Sequence, residues 1–210
     1  MKHIKKQEEP QEFKDWKQQQ KSTGINYNYE SFQNPEKRLV HSALLSEQGY
    51  ICCYCCQKIE RETSHIEHFL PQSKTDAELS VTYSNLLASC GSSQHWPKHC
   101  GNQRENHPIP VSPLQTNCEE YFRYTGEGEI IPTNNLELQE KAKETIDILN
   151  LNHYDLKQMR IEKLDLLQGI TYEEAQEKAE FYGKLDEQEH YQPFCVAILY
   201  YLKAYYGIKL

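Results

Sequence analysis

The pattern of apolar and polar positions divides the chain into four stretches, and the first two lead into a cysteine-rich centre. Residues 1–33 mix charged and amide side chains with scattered aromatic residues and show no sustained period, which indicates an N-terminal arm suited to partner contact. Asn34 and Pro35 then predict the start of a helix, by the N-cap and first-turn proline rule. The apolar face of this helix consists of Leu39, Val40, Ala43 and Leu44.

The second stretch, residues 34–113, changes character after Gly49. From there to Pro113 the chain has short apolar pieces, turn residues and most of its cysteine and histidine residues. This mixture is typical of a small site that a bound metal holds together in place of a large core. We therefore expect the chemistry of the protein to lie between these two residues.

The last two stretches predict a hairpin followed by helices, and thus an α+β fold with a mainly helical C-terminal region. In residues 114–133, Gly126 and Gly128 separate an aromatic run from two isoleucines, which is the pattern of a connecting hairpin. Residues 134–210 have a helical period. The apolar positions of the first two helices there are Leu138, Ala142, Ile146 and Leu149, then Leu156, Met159 and Leu167. Further helix starts are predicted by Asn152 as a cap, by a Thr171–Glu174 capping box, and by Pro193 before Phe194, Ile198, Tyr201, Leu202 and Tyr205.

Composition and charge narrow the function classes. With 210 residues, of which 38% are hydrophobic and 26% charged, the chain is long enough for one core of ordinary size plus an appended element. Its net charge of -8 argues against a protein that grips a phosphate backbone through its own overall field. The sequence has no apolar run near the roughly 20 residues of a membrane helix. We expect a cytoplasmic protein without membrane contact, which needs help from a partner if it acts on nucleic acid.

Eight cysteines without a secretion signal favour a metal site over a disulfide framework. A C-x-x-C spacing lets two thiolates reach one ion, and a second pair closes a tetrahedron. The cysteines proposed as ligands of a structural zinc ion are Cys52, Cys55, Cys90 and Cys100. Cys53 and Cys56 have the same spacing as the first pair, so the register of that pair stays open.

Other arrangements of the cysteines remain possible at this point. Nine residues separate the members of the second pair instead of the usual two to four, so His95 or His99 can replace one sulfur. The alternative without a metal ion is that the cysteines are free buried thiols, which is the common state of an intracellular cysteine. Cys118 and Cys195 lie outside the motif and are expected to be structural.

Around these cysteines the chain resembles the HNH endonuclease core, a zinc-stapled ββα-metal unit. The resemblance is carried by CCYC at 52–55, SHIEHFLPQS at 64–73, SNLLASC at 84–90 and HCGNQR at 99–104. The chain is similar in particular to the HNH proteins of bacterial anti-phage systems, the PtuB subunits of Septu and of retron operons, and this similarity extends to YFRY at 121–124 and TIDILNLN at 145–152. It implies that residues 64–69 and 85–89 are two strands, followed by a short helix after Cys100.

The resemblance also implies a role for each residue of the motif. His68 would be the general base that takes a proton from water, since a neutral imidazole titrates near working pH. Glu67 would bind a catalytic Mg²⁺ or Mn²⁺ ion, which prefers oxygen ligands. Asn85 would pin the loop that carries the base, and Asn102 would be the third motif position and the second ligand. The implied cofactor site therefore consists of Glu67, His68 and Asn102.

The identity of the last ligand stays open. Family members commonly carry it directly after the final cysteine, where this chain has Gly101. An offset of one residue on a short helix turns a side chain by about 100°. Asn106 and His107 are therefore alternatives to Asn102. Arg104 occupies a position from which a basic residue often contacts phosphate in such motifs.

Two functions follow as hypotheses. The resemblance implies a nuclease subunit that cleaves nucleic acid, DNA or RNA, together with a PtuA-like ATPase, and in retrons with a reverse transcriptase and its msDNA as further partners. The competing hypothesis is a zinc-stapled nucleic-acid or protein binding module without catalysis, which uses the same cysteines and binds no divalent ion at Glu67. Substitution of Glu67 and His68 separates the two hypotheses, because only the nuclease depends on them.

Overall fold

Helices make up most of the regular structure, and two small sheets lie among them. The computed structural model describes residues 1–24, 27–91 and 96–209, and these residues form seven α-helices and two antiparallel two-stranded sheets. The helices are α1 Gln11–Ser22, α2 Glu36–Glu47, α3 Gly101–Arg104, α4 Leu136–Ile148, α5 Tyr154–Asp165, α6 Tyr172–Gly183 and α7 Cys195–Tyr206. The strands are β1 Ser64–His68, β2 Leu86–Cys90, β3 Phe122–Tyr124 and β4 Ile130–Pro132. This confirms the predicted α+β class, and none of the helices described is long and apolar enough to cross a membrane.

The first sheet and the short helix α3 form a ββα unit, as the resemblance implies. β1 and β2 run antiparallel, with Ser64 opposite Cys90 and His68 opposite Leu86. α2 packs against β2, and the Cys53 N–H donates to a carbonyl of the same strand. All five residues of β2 are buried, because the helix and the cysteine loop cover it. The strand ends and α3 therefore meet in one place.

Residues 1–33 contain a packed helix in place of the expected irregular arm. α1 packs against α2, and the side chains of Phe13 and Phe32 are both 0% exposed. Their ring centroids lie 4.7 Å apart, and Trp16 contacts both rings. Phe32 lies outside α1 and meets Phe13 and Trp16 only in the folded chain, so a search for a period along the chain does not detect this packing. Partner contact by this stretch stays a prediction.

Two of the predicted helix caps are corrected. α2 has Pro35 at its N-cap position and no side-chain cap, so Asn34 lies one residue before the cap. α5 is capped by His153, whose ring accepts from the Asp155 N–H at 3.2 Å. Asn152 instead bonds to both backbone groups of Ile130 in β4, at 2.8 Å and 2.9 Å. A tertiary bond to the hairpin has replaced the local cap.

The C-terminal helices pack around the second sheet. β3 and β4 form the predicted hairpin, with Gly126 and Gly128 in its turn. The Thr171–Glu174 capping box is present at the start of α6. α7 begins two residues after Pro193, and its buried residues are Cys195, Val196, Ala197, Ile198 and Leu202. Tyr205 is 61% exposed, so the predicted apolar side of this helix is only partly covered.

Candidate active site

Four cysteine sulfurs meet where the loop before β1, the end of β2 and the start of α3 come together. They belong to Cys52, Cys55, Cys90 and Cys100, and lie within 4.8 Å of one another. The Sγ atoms of Cys55 and Cys90 are 3.8 Å apart. Sulfurs placed tetrahedrally at 2.3 Å around Zn²⁺ lie about 3.8 Å from each other, so the cluster fits a structural zinc ion. Cys53 and Cys56, the alternative register, stay outside the group.

The cluster stabilises negative charge on one of its sulfurs, that of Cys52, whereas burial and the hydrogen bonds to Cys52 raise the pKa of the Cys90 and Cys100 thiols. His99 Nδ1 lies 3.6 Å from the Sγ atom of Cys90, and the Cys90 N–H donates to the Sγ atom of Cys52 at 3.4 Å. Burial alone would raise the pKa of the Cys52 thiol, but hydrogen bonds from the neighbouring thiols hold it well below its ordinary value. A thiolate is the form that binds zinc. His99 therefore lies next to a complete set of four sulfurs and does not replace any of them as a ligand. His95, the other proposed replacement, lies outside the described residues.

His68, at the end of β1, has both ring nitrogens engaged. Its Nε2 lies 2.8 Å from the Ser80 carbonyl oxygen, which can only accept, so Nε2 carries the proton of the neutral ring. Nδ1 therefore holds the lone pair, and it accepts from the amide of the exposed Gln72 at 3.2 Å. The Tyr29 ring packs edge-on against the imidazole, with 4.5 Å between centroids. Burial lowers the pKa of His68 below its ordinary value, although the Ser80 carbonyl opposes the shift.

Asn85 fixes the loop that follows His68. Its Oδ1 accepts from the Leu70 N–H at 2.7 Å, and its Nδ2 donates to the Leu70 carbonyl at 3.2 Å. The backbone carbonyl of Asn85 also accepts from the Phe69 N–H at 2.9 Å. These three bonds tie the residues after His68 to the start of β2.

Glu67 points to the other side of β1, as strand alternation requires. Its Oε1 accepts from the Tyr54 hydroxyl at 3.0 Å and lies 3.3 Å from Arg104 Nε. Arg104 is only 1% exposed and also donates to the Tyr54 hydroxyl and to the carbonyls of His68 and Phe69. Internal bonds occupy this guanidinium, which corrects the expectation that it contacts phosphate.

His65 shares the Glu67 face of β1, although it is not among the predicted site residues. Its Nδ1 bonds to the Gly91 carbonyl, and its Nε2 lies 3.3 Å from Glu67 Oε2. Burial alone would lower the pKa of His65, but the hydrogen bond and charge of Glu67, with the Gly91 carbonyl, raise it above its ordinary value. Residues two apart on a strand share a face, so the His-x-Glu spacing was the signal available in the sequence.

α3 brings Gly101, and not Asn102, to this pair. A Cβ atom at Gly101 would lie 2.7 Å from both His65 Nε2 and Glu67 Oε2. The Asn102 side chain lies against the backbone of Gly91 instead. The position directly after the final cysteine of the cluster is therefore the one that faces the carboxylate.

The alternative ligands Asn106 and His107 lie beyond α3 and are exposed. His107 Nδ1 lies 2.9 Å from the Arg104 carbonyl oxygen. Among the residues that the structure describes, no hydrogen bond or ion pair joins Asn102, Asn106 or His107 to the Glu67 carboxylate. The partners of that carboxylate come from β1, α3 and the cysteine loop.

Two chemical features thus lie at the end of β1. On one side is a neutral imidazole, His68, with its lone pair on Nδ1. On the other side a carboxylate oxygen of Glu67 and a nitrogen of His65 face each other. A general base and a carboxylate that can bind a divalent ion are the kinds of group that phosphodiester hydrolysis uses.

Comparison with known proteins gives one relative in keeping with this chemistry, while no protein-family model matches the chain. The chain is 30% identical over 135 residues to the "Retron Vc95 putative HNH endonuclease" of Vibrio cholerae serotype O1 biovar El Tor. The matched region covers 62% of this chain and 66% of that protein, which is just under two thirds of its length. This similarity supports the prediction of an HNH endonuclease.

Proposed function

We propose that this protein is an HNH endonuclease that hydrolyses phosphodiester bonds of nucleic acid, as the nuclease subunit of an anti-phage complex of the Septu or retron kind. The observation that carries the proposal is His68, whose hydrogen bonds leave a base nitrogen next to the loop that Asn85 fixes. Similarity to the retron protein of Vibrio cholerae supports the same chemistry.

In the proposed reaction His68 is the general base. Its Nε2–H is held by the Ser80 carbonyl, so Nδ1 is the nitrogen that takes a proton from the attacking water. The exposed Gln72 amide, now 3.2 Å from Nδ1, gives way to that water. The water oxygen bonds to phosphorus, the ester bond to the leaving oxygen breaks, and the leaving oxygen takes a proton from solvent. Base catalysis of this kind contributes roughly 10²- to 10⁴-fold in rate.

Asn85 is a positioning residue in this proposal. It holds both backbone groups of Leu70, and thereby the chain that leads away from His68. A base must lie within hydrogen-bond reach of the proton that it removes, so a loose loop would slow the reaction. The three bonds of Asn85 to this loop keep the base in one place.

Two kinds of metal ion belong to the proposal, and the residues present fit both. The four-cysteine cluster would hold structural zinc and so join the strand ends to α3. Glu67 Oε2 would bind Mg²⁺ or Mn²⁺, while Tyr54 and Arg104 orient the carboxylate through Oε1. A divalent ion bound there supplies Lewis-acid stabilisation of the scissile phosphate and the leaving oxygen.

The proposed nuclease depends on a partner protein to bind nucleic acid. The net charge of -8 leaves the chain without the overall positive field that draws in a phosphate backbone. A PtuA-like ATPase would supply that surface, and in a retron the reverse transcriptase and its msDNA would join the assembly. None of the eight cysteines is in a disulfide, and a zinc-thiolate cluster suits a reducing compartment such as the cytoplasm, where we propose that the protein works.

The proposal is tested by a cleavage assay on plasmid DNA and structured RNA with Mg²⁺ or Mn²⁺, with and without the ATPase partner. We expect partner-dependent cleavage by the wild type and a loss of roughly 10²- to 10⁴-fold in His68→Ala. His41→Gln is the matched control, because His41 is a comparably buried histidine that bonds to the Ser64 hydroxyl. It should retain wild-type cleavage.

Either of two results would contradict the proposal. Cleavage at the wild-type rate by His68→Ala would exclude this residue as the base. Absence of cleavage under every condition, from folded protein that contains zinc, would favour the binding module that uses the same cysteines for structure alone.

A further inference from the structure

We propose that His65 is a protein ligand of the divalent ion, paired with Glu67, and that it takes the place of the ligand expected on α3. The inference rests on the proposed function, since it concerns the metal site of the same nuclease centre. Three geometric observations carry it: the hydrogen bond between His65 Nδ1 and the Gly91 carbonyl, the distance between the two ligand atoms, and the space at Gly101.

The hydrogen bond of His65 leaves its outer nitrogen free to bind a metal. The Gly91 carbonyl oxygen can only accept, so Nδ1 is the donor of that bond and Nε2 holds the lone pair in the neutral ring. Metal-binding histidines almost always donate their second ring N–H to a carbonyl or carboxylate, which fixes the tautomer and the ring orientation. His65 has this arrangement before any ion is added.

The two candidate ligand atoms are at a suitable distance. His65 Nε2 and Glu67 Oε2 face each other at 3.3 Å. The carboxylate oxygen can only accept, so a proton on Nε2 lies between the two atoms when no ion is bound, and a divalent ion would take the place of that proton. Ligand atoms at right angles around Mg²⁺, each 2.0–2.1 Å from the ion, lie about 3 Å apart. The His65 side chain is 30% exposed, so water and a substrate phosphate can reach the remaining positions.

Gly101 leaves the space that His65 occupies. The HNH resemblance expects a ligand directly after the final cysteine of the motif, and that position here has no side chain. A Cβ atom at Gly101 would lie 2.7 Å from His65 Nε2, closer than Cβ atoms approach their neighbours. The imidazole from β1 therefore fills the place of a side chain from α3. The absence of a side chain at Gly101 on α3 and the presence of the imidazole of His65 on β1 are thus two parts of the same arrangement.

The other candidate ligands are engaged elsewhere. The Asn102 side chain lies against the backbone of Gly91, and His68 bonds through both nitrogens on the opposite side of β1. A site made of one imidazole nitrogen and one carboxylate oxygen is softer than an all-oxygen site. It should therefore prefer Mn²⁺ to Mg²⁺.

The test is Mn²⁺ binding to the zinc-loaded full chain without nucleic acid, followed by electron paramagnetic resonance. We expect bound Mn²⁺ to show ¹⁴N coupling in its electron spin echo modulation, which ¹⁵N-histidine labelling replaces with the ¹⁵N pattern. His65→Ala should lose the coupling and weaken Mn²⁺ binding by about 10-fold or more, as loss of a metal-orienting partner already does. His65→Ala with Gly101→His should restore the coupling, because the new side chain enters the vacated space.

Controls separate this inference from the proposed function. His41→Gln and His68→Ala should keep the nitrogen coupling, and zinc content reports whether each variant is folded. Mn²⁺ binding that Glu67→Gln abolishes, but that shows no nitrogen coupling in the wild type, would overturn the role of His65 and leave the nuclease proposal standing. Nitrogen coupling that persists in His65→Ala would likewise overturn the role of His65 and leave the nuclease proposal standing. Absence of any Mn²⁺ binding that depends on Glu67 would contradict both the role of His65 and the proposed metal-dependent nuclease.

Discussion

At the scale of single residues, hydrogen bonds and burial decide what each charged side chain around β1 can do. The guanidinium of Arg104 is 1% exposed, and its donors go to the Tyr54 hydroxyl and to two backbone carbonyls. Its charge lies beside Glu67 Oε1. Arg104 therefore positions the carboxylate and the loop after β1, and has no surface to offer a substrate.

His41 gives a pH dependence that can be measured. Burial lowers the pKa of its imidazole to about 4, from an ordinary value of 6.5. The imidazole of the unfolded chain then binds a proton more tightly than that of the folded chain. The free energy of unfolding therefore decreases as pH falls from 6.5 to 4, and His41 causes no further decrease below pH 4. The loss amounts to at most about 3 kcal/mol. His41→Gln, which keeps a donor for the Ser64 hydroxyl, should remove it.

Urea denaturation of both proteins at pH 7, 6 and 5 checks this prediction. The free energy of unfolding should fall more steeply with acid in the wild type than in His41→Gln. Only in the wild type does the unfolded chain gain a proton at position 41 over this pH range. Parallel curves for the two proteins would show that the buried imidazole is protonated as easily in the folded chain as in the unfolded one.

Spacing in the sequence predicted some site residues better than others. The C-x-x-C spacing was enough to predict a cysteine cluster, yet Cys52–Cys55 and Cys53–Cys56 have equal spacing, and only the fold brings one pair to the other sulfurs. The His-x-Glu spacing placed His65 and Glu67 on one face of β1, but it did not mark them as a site, because Gly101 lies beside the pair only in the fold. Roles that depend on contacts between distant segments escape a pattern along the chain.

At the scale of elements, the β3–β4 hairpin approaches α5 most closely at one glycine, next to the ion pair of Glu129 with Lys157. Gly128 has a φ of +71°, and its carbonyl accepts from the Arg160 guanidinium at 2.6 Å. A Cβ atom there would lie 2.5 Å from the Lys157 carbonyl oxygen. The close approach of hairpin and helix thus requires a residue without a side chain.

Gly128→Ala should therefore destabilise the protein by about 2 to 4 kcal/mol, the sum of a left-handed backbone and an overpacked contact. Gly126→Ala is the matched variant in the same turn, because a Cβ atom there would meet nothing within 4 Å. It should stay within about 0.5 kcal/mol of the wild type. Chemical denaturation measures both, and equal effects would contradict this account of the hairpin.

The elements also show where local signals are sufficient. The Thr171–Glu174 capping box and the glycine-rich hairpin depend on neighbours in sequence, and both are present as predicted. α1 was missed because its aromatic side chains pack against residues outside the helix. Asn152 was wrong as a cap because the backbone of Ile130 competes for the same side chain.

At the scale of the whole molecule, the cysteine cluster joins segments that have little regular structure of their own. Backbone hydrogen bonds also tie these segments to the helical region, from Phe194 N–H to the Cys56 carbonyl at 2.7 Å and from Cys100 N–H to the Leu149 carbonyl at 2.8 Å. The cysteines of the cluster extend from residue 52 to residue 100 and bring the cysteine loop, β2 and the start of α3 to one point. The C-terminal helices have their own contacts, of α7 with α5, α6 and β3. Loss of zinc should therefore affect the two parts unequally.

Hydrogen exchange followed by mass spectrometry checks this expectation after zinc is removed with a chelator or by Cys90→Ser. Backbone amides of β1, β2 and α3 should exchange much faster, while those of α6 and α7 stay protected. Structural zinc contributes roughly 10 to 16 kcal/mol to folding in small domains, so the effect should be large. Cys118→Ser, a buried thiol outside the cluster, should retain zinc and its exchange pattern. Uniform deprotection would mean that the chain unfolds as one unit.

The adjacency of Cys100 and Gly101 also bears on how the protein is made. A chain emerging from the ribosome cannot close its sulfur cluster until residue 100 has been synthesised, and only the next residue faces Glu67 and His65. Truncated products that end earlier would lack the four-cysteine cluster and the proposed metal site beside it. If the cluster binds zinc as proposed, complete chains would accumulate without an assembled site in a cell short of zinc. Metal supply, and not translation alone, would then set how much of the protein carries out its proposed activity.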